Sequence, residues 1–166
     1  MWLTEVMSTN AIPPIYDALI PSIVVSDGAK AIQFYTTVFG AEELMRMNFP
    51  DGVKIAHAEL KIRGHVFMLG DECPQMGVSA PKPDGPAPAT SVMIYFPAVD
   101  VVFEIAVANG AKVVMPPTDM FWGDRYAKFI DPFGHQWGIA THVRDVSPEE
   151  CAKAMAEWGK SQSEKA

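Results

Sequence analysis

Residues 121–142, FWGDRYAKFIDPFGHQWGIATH, carry alternating apolar positions on both sides of a Pro-Phe-Gly turn. This pattern is typical of two antiparallel strands joined by a hairpin. An earlier stretch, GHVFMLGDE at 64–72, follows another alternating segment, 53–62, through a similar glycine turn. Two hairpins of the same kind are therefore predicted in the two halves of the chain.

The two halves also align with each other without gaps when one is shifted by 70 residues, which places Gly40 on Gly110. The identical positions are Gly40-Ala41 on Gly110-Ala111, Met45 on Met115, and Gly64-His65 on Gly134-His135. One of these pairs ends a predicted helix and another sits in the hairpin turn. The order strand, helix, strand, strand, strand therefore occurs twice.

In the first unit, a helix begins at Ser26 or Asp27 and stops at Gly40, and strands are expected at 20–25, 42–46, 53–62 and 65–71. In the second unit, a helix runs from Asp100 to Gly110, and strands are expected at 91–96, 111–115, 124–131 and 135–141.

The predicted organisation has five parts: an N-terminal arm (1–18), a first module (19–72), a Pro-rich linker (73–89), a second module (90–143) and a C-terminal segment (144–166). The linker is expected to be extended and exposed. In the last part, Ser147 and Glu150 form a capping box, which predicts an amphipathic helix that frays over 160–166. Modules of about 50–55 residues bury too little surface alone, so 19–143 is expected to be one cooperative domain.

Composition excludes several classes of function. The chain has 13 Lys and Arg against 20 Asp and Glu, a net charge of −7, which argues against a nucleic-acid partner and would suit a cationic ligand. No apolar run approaches the roughly 20 residues of a membrane span. Two cysteines give no disulfide framework, and the first residues show no secretory pattern, so a cytoplasmic location is expected.

The stretches LIPSIVVSDGAKAIQFYTTVFGAEEL (19–44), GHVFMLGDE and the DPFGH hairpin (131–135) resemble the vicinal oxygen chelate superfamily. This superfamily includes glyoxalase I, bleomycin-resistance proteins, fosfomycin-resistance enzymes and extradiol dioxygenases. The resemblance covers about residues 18–143. It implies an α+β fold in which each module curls a four-stranded mixed sheet into half of an open barrel, flanked by helices, and two modules enclose a cleft.

The resemblance also implies a homodimer whose modules pair within or across chains, and light scattering that shows a monomer at micromolar concentration would contradict it. It implies no cofactor, because the positions aligned with the family's metal ligands hold Ile20, Met68, one residue of 90–92, and Gly138. None of these side chains offers the imidazole or carboxylate that a divalent cation prefers.

Strand alternation indicates which side chains face the cleft. His57 and Glu59 are expected there, either to relay a proton or bind a cation, or as a satisfied polar pair. Met68, Gln136 and His142 are expected on the same side, and Trp137 in the core. His65 and His135 follow glycines and are interpreted as turn residues.

The segment DMFWGDRYAKF at 119–129 is a further candidate for ligand contact. Phe121 and Trp122 could form a lid or stacking wall for a planar ligand. Arg125 is expected on the cleft side, where it would grip a carboxylate or phosphate. The alternative is that Arg125 pairs with Asp124 or with the other module.

Three hypotheses of function follow. The first is a metal-free protein that binds a small aromatic or cationic molecule. The second is a lyase, isomerase or dioxygenase of the same superfamily, with His57, Glu59 or Arg125 in catalysis and a divalent metal at other positions such as His57, Glu59 and His142. The third is a module whose cleft has closed and which serves interaction alone.

Overall fold

A computed structural model of the chain describes residues 12–16, 19–86 and 88–163. The first module contains β1 (Ser22–Val25), α1 (Gly28–Phe39), β2 (Glu42–Asn48), β3 (Ile55–Ile62) and β4 (His65–Asp71). The second contains β5 (Ser91–Tyr95), α2 (Val99–Ala108), β6 (Lys112–Asp119), β7 (Asp124–Ile130) and β8 (Gln136–His142), and α3 (Pro148–Ser163) follows. The strand orders are β1-β4-β3-β2 and β5-β8-β7-β6. In each sheet the first pair is parallel and the others are antiparallel, so the predicted α+β fold with two βαβββ modules is confirmed.

Helix α1 has a defined cap at each end. Of the two N-caps predicted, Asp27 is the one that acts, because its carboxylate accepts the Lys30 N–H at 3.0 Å. The helix ends at Gly40, whose φ of 65° lies in the left-handed region that glycine adopts without strain. These caps set the buried face of α1, which carries Phe34, Tyr35 and Phe39.

That aromatic face packs against the sheets of both modules. The Tyr35 ring lies 5.4 Å from the ring of Phe67 on β4. The Phe39 ring lies 4.8 Å from Trp137 on β8 and 6.2 Å from Phe129 on β7. The helix-facing sides of the two sheets therefore share one aromatic core, and Trp137 is buried in it as predicted.

The aspartate of the DPFGH hairpin ties the two modules together. Asp131 is 2% exposed and accepts hydrogen bonds from Tyr35 Oη–H (2.7 Å), Trp137 Nε1–H (2.8 Å) and the backbone N–H groups of Phe133 and His135 (2.9 Å each). His135 also places Nε2 2.8 Å from the Val24 carbonyl oxygen. The hairpin thus joins β8 to α1 and β1 of the first module.

The strands, α1 and α2 otherwise begin and end within two residues of the prediction, but two segments differ more. Strand β6 continues beyond 115 to Asp119, through Pro116 and Pro117. It lies at the edge of its sheet, with a register shift between Met115 and Thr118, and such irregular edges tolerate proline. The linker is not extended throughout, because it contains a 3₁₀ turn at Pro74–Met76 and a bridge between Cys73 and Val78.

The ends of the chain are described only in part. Helix α3 begins as predicted, with the Glu150 N–H donating to Ser147 Oγ at 3.2 Å, and runs to Ser163, past the point where fraying was expected. Of the predicted arm at 1–18, only residues 12–16 are described. No helix in the described ranges is long and apolar enough to cross a membrane.

Candidate functional site

The side of each sheet opposite the shared core is called here its cleft face. On the first sheet, Glu59 lies beside Met68, and His57 is two residues away on the same strand. On the second sheet, His142 lies opposite Asp124 and Gln136 opposite Ile130. The register therefore places the predicted residues His57, Glu59, Met68, Gln136 and His142 on the cleft faces.

A carboxylate with a tyrosine and a histidine partner lies on the first cleft face. Glu59 is 7% exposed. Its Oε1 accepts the Tyr16 hydroxyl at 2.5 Å and lies 3.3 Å from His57 Nε2. The hydrogen bond from Tyr16 lowers the pKa of Glu59 despite its burial, and the same bond raises the pKa of Tyr16. The predicted arm thus supplies a donor that holds Glu59 ionised.

A second carboxylate with the same kinds of partner lies on the other sheet. Asp124 is 4% exposed. Its Oδ2 accepts Tyr95 Oη–H at 2.7 Å and Trp122 Nε1–H at 3.1 Å, and its Oδ1 lies 2.9 Å from His142 Nδ1. These four residues are the Asp124 cluster. His142 Nε2 lies 3.0 Å from Asp145 Oδ1, so the imidazole bridges two carboxylates.

The electrostatics of the Asp124 cluster follow from these bonds. Burial raises the pKa of Asp124, but the hydrogen bonds from His142, Tyr95 and Trp122 together outweigh it and leave the pKa below its ordinary value. The pKa of His142 is raised, first by its bond to Asp124 and then by its bond to Asp145. Both ring nitrogens can donate when the imidazole is protonated, so the cluster favours the ion pair of Asp124 with charged His142.

Replacing Asp124 with asparagine is expected to lower the pKa of His142 toward the ordinary value of about 6.5. The variant keeps the shape of the side chain and removes the charge that stabilises the imidazolium. Because the folded-state pKa is raised, the stability contributed by charged His142 is fully present below the ordinary pKa and is lost as the pH rises through the folded value. Proton NMR titration of the imidazole measures the change.

Asp145→Asn is the matched control for this titration, since it also neutralises one partner of His142. The Asp145 side chain is fully exposed, so solvent screens its charge and a smaller shift is expected. A His142 pKa unchanged in Asp124→Asn would contradict the assignment of Asp124 as the main partner.

Aromatic rings stand beside the Asp124 cluster. Phe121 and Trp122 meet edge to face at 5.0 Å, and Trp122 lies 6.1 Å from Tyr126. A Cβ added at Gly138 would lie 3.0 Å from the Tyr126 hydroxyl oxygen, so glycine leaves the space that this ring occupies. Phe121 and Trp122 thus form a partly exposed aromatic wall, and their contact with a ligand stays a prediction.

The position predicted for Arg125 was wrong. Arg125 lies opposite Thr141, on the helix side of the second sheet. Its guanidinium donates to both carboxylate oxygens of Asp100 on α2, at 2.7 and 2.6 Å, and to Asp119 at 3.0 Å. The hairpin pairs Ile130 with Gln136, so the even-numbered residues of β7 face the cleft and Arg125 faces the helices. Arg125 therefore joins α2 to the sheet.

Three residues in or beside the Asp124 cluster were not predicted as site residues: Asp124, Tyr95 and Tyr126. From the sequence, Asp124 was named only as a possible partner of Arg125. The signal that could have found it is the hairpin itself, because counting outward from the Ile130–Gln136 pair places Asp124 opposite His142. Tyr95 needed the parallel register of β5 with β8, which sets it beside Ala140 on the cleft face.

The donor set offers little to a divalent cation. Met68 on β4 and Gly138 on β8, which the resemblance aligns with the superfamily's metal ligands, carry no imidazole or carboxylate. Within the described ranges, no group of three or more His, Cys, Asp or Glu side chains is arranged to hold a metal ion. His57 and Glu59 lie on the first sheet and His142 on the second.

Comparisons with known proteins agree with this architecture. Residues 17–139 match the family described as Glyoxalase/Bleomycin resistance protein/Dioxygenase superfamily. An uncharacterized protein of Mycobacterium tuberculosis is 42% identical over 158 residues, which cover 93% of this chain and 89% of that protein.

Two solved structures share the fold. TioX from Micromonospora sp. ML1 is 28% identical with a TM-score of 0.59, covering 76% of this chain and 99% of that one. The genomically encoded fosfomycin resistance protein FosX from Listeria monocytogenes, complexed with Mn(II) and sulfate, is 18% identical with a TM-score of 0.56, covering 81% and 95%.

Proposed function

The chain belongs to the glyoxalase/bleomycin resistance protein/dioxygenase superfamily, and from this membership we propose that it binds a small aromatic cation on the cleft face of its second sheet, without a divalent metal. The observation that carries the proposal is the Asp124 cluster, a buried carboxylate surrounded by aromatic hydrogen-bond donors.

Charge and shape both favour a cation with a flat apolar body. Asp124 of the cluster and the neighbouring Asp145 flank His142, so two carboxylates surround one imidazole. Tyr95 is half exposed beside Asp124, and Trp122 lies next to it in the partly exposed wall. Aromatic faces attract cations. The net charge of −7 adds a negative electrostatic field that also attracts a cation.

The side chains present support binding without a metal. FosX carries Mn(II) on the same fold. At two positions that the resemblance aligns with metal ligands, this chain has the thioether of Met68 and the hydrogen of Gly138. These groups supply no oxygen or nitrogen to a divalent cation. The superfamily's metal chemistry is therefore not part of the proposal.

A second copy of the chain is proposed to cover the cleft faces. Met47 on the first cleft face is 53% exposed, and Met93 and Tyr95 on the second are 47% and 48% exposed. The helix sides of both sheets are already used in the shared core, so each cleft face needs another surface to enclose a ligand. Burial of these apolar side chains would favour the homodimer.

Proflavine, a planar monocation, is the probe for this site. We expect it to bind the purified protein in isothermal titration calorimetry and to bind Asp124→Asn about 10-fold or more weakly, since a buried charge partner is lost. Tyr95→Phe keeps the carboxylate and the ring, so a loss of only about 2–5-fold is expected, the effect of one neutral hydrogen bond.

Asp84→Asn is the matched control, because it changes the same charge on the exposed linker. Equal loss of affinity in Asp84→Asn and Asp124→Asn would show a general field effect and contradict the site.

Elemental analysis for Zn, Ni, Mn and Fe accompanies the titration. A stoichiometric metal that disappears in Glu59→Ala would overturn the proposal that the ligand binds without a metal. A monomer in light scattering would overturn the proposed homodimer.

A further inference from the structure

A cavity of about 480 Å³ lies between the two modules. It is bordered by the β3–β4 turn of the first module and by β5 of the second, and is called here the seam cavity. Its volume falls in the range of small-molecule sites, roughly 300–1,000 Å³. Tyr95 is the residue that it shares with the Asp124 cluster.

Most side chains that line the seam cavity are apolar, and the exceptions are Arg63, His65 and Tyr95. Phe67 and Trp137 form its buried floor, with rings 6.3 Å apart and perpendicular. Val92 and Ile94 of β5 and Ile62 at the end of β3 supply aliphatic walls. Such a surface favours a hydrocarbon or aromatic body and excludes a strongly hydrated one.

One cation stands at the rim of this apolar cavity. Arg63 lines it from the β3–β4 turn. The other three arginines, Arg46, Arg125 and Arg144, each contact a carboxylate. Across the residues that the structure describes, no carboxylate pairs with Arg63. Its guanidinium lies 6.0 Å from the centre of the Phe96 ring, a cation–π contact that leaves its donors able to bind an anion.

The backbone at Arg63 has a conformation that arginine rarely adopts. Its φ is +49°, and every other described residue with a positive φ is a glycine. The next residue, Gly64, has φ +92° and completes the turn. Residues other than glycine are disfavoured in this region, but positive φ at both residues is typical of a two-residue hairpin loop such as the one between the paired residues Ile62 and His65. This turn places the Arg63 side chain at the cavity rim.

We propose that the seam cavity binds an amphipathic organic anion, with its apolar body over Phe67 and Trp137 and its carboxylate or sulfonate on Arg63. This site differs from the one proposed above in ligand charge and in the charged residue that binds the ligand, Arg63 instead of Asp124, and the two sites meet at Tyr95. Neither proposal depends on the other.

The test uses 2-naphthoate, a flat monoanion, and its uncharged methyl ester as the matched ligand. In isothermal titration calorimetry we expect 2-naphthoate to bind the full chain, and the ester to bind about 10-fold or more weakly because it lacks the charge that Arg63 recognises. Equal affinity of the acid and the ester, or no binding of 2-naphthoate at millimolar concentration, would overturn the proposal.

Arg63→Gly separates binding from folding. Glycine adopts φ +49° without strain, so the variant is expected to unfold at the same denaturant concentration as the wild type, or a higher one, while its affinity for 2-naphthoate falls about 10-fold or more. Arg63→Lys keeps the charge without the planar fork and is expected to show an intermediate loss. Wild-type affinity in Arg63→Gly would overturn the assignment.

Two controls complete the experiment. Arg46→Gln removes the same charge from β2, where the arginine contacts Glu43, and is expected to bind 2-naphthoate like the wild type. Asp124→Asn is expected to keep 2-naphthoate binding, and Arg63→Gly to keep proflavine binding, so failure of one site is distinguished from failure of the other. Loss of 2-naphthoate binding in Arg46→Gln to the same degree as in Arg63→Gly would overturn a specific role for Arg63.

Discussion

Replacing Asp131 with alanine is expected to lower the free energy of unfolding by about 4 kcal/mol, because several buried donors lose their acceptor at once. Asp131 accepts four hydrogen bonds, from Tyr35, Trp137, Phe133 and His135. Two of these donors are side chains of the shared core, one from each module. Urea denaturation followed by circular dichroism measures the loss.

Two variants make this measurement specific. Asp84→Ala removes a carboxylate from the exposed linker and is expected to change stability by less than about 0.5 kcal/mol. Asp131→Asn keeps one acceptor oxygen and is expected to fall between the wild type and Asp131→Ala. A loss below about 1 kcal/mol in Asp131→Ala would show that these donors find other partners and that the hairpin does not tie the modules.

Gly123→Ala is expected to lower the free energy of unfolding by roughly 3 kcal/mol, since backbone strain and a steric clash add. Gly123 has φ +99°, and a Cβ there would lie 2.1 Å from the Arg144 carbonyl oxygen and 2.8 Å from Val146 Cγ2. Its own carbonyl oxygen accepts the N–H groups of Val143 and Arg144 at 3.0 Å each. The turn and the segment after β8 are therefore in direct contact.

The same substitution is expected to weaken the Asp124 cluster, because Gly123 stands between Trp122 and Asp124. The His142 pKa should then fall and proflavine should bind less tightly. Gly52→Ala is the matched control: Gly52 has φ +69°, but nothing lies within 4 Å of an added Cβ. It should show only the backbone effect, about 1 kcal/mol. Equal losses at the two positions would contradict the clash.

The parts of the fold that depend on local signals were predictable from the sequence. The caps at Asp27, Gly40 and Ser147 and the two hairpins depend on residues that are close in the chain. Alternation within one strand was enough to place His57 and Glu59 on the cleft face. These predictions needed no knowledge of how the modules pack.

The Asp124 cluster was harder to predict because it depends on the register between strands. A shift of one residue at the start of β7 exchanges the faces of Asp124 and Arg125. Tyr95 reaches Asp124 from a strand that is 29 residues earlier in the chain. The Tyr16–Glu59 hydrogen bond spans 43 residues. Neither contact has a local signal in the sequence.

The two prolines of β6 also affect how the protein behaves in a crowded solution. An exposed strand edge can recruit a strand from another molecule, which is how ordered aggregates grow. Proline has no N–H donor, and because successive N–H groups of a strand point to opposite sides, one of the adjacent residues Pro116 and Pro117 removes a donor from the free edge. A strand from another molecule could not form all of its backbone hydrogen bonds with β6, so this edge of the second sheet is protected against edge-to-edge aggregation.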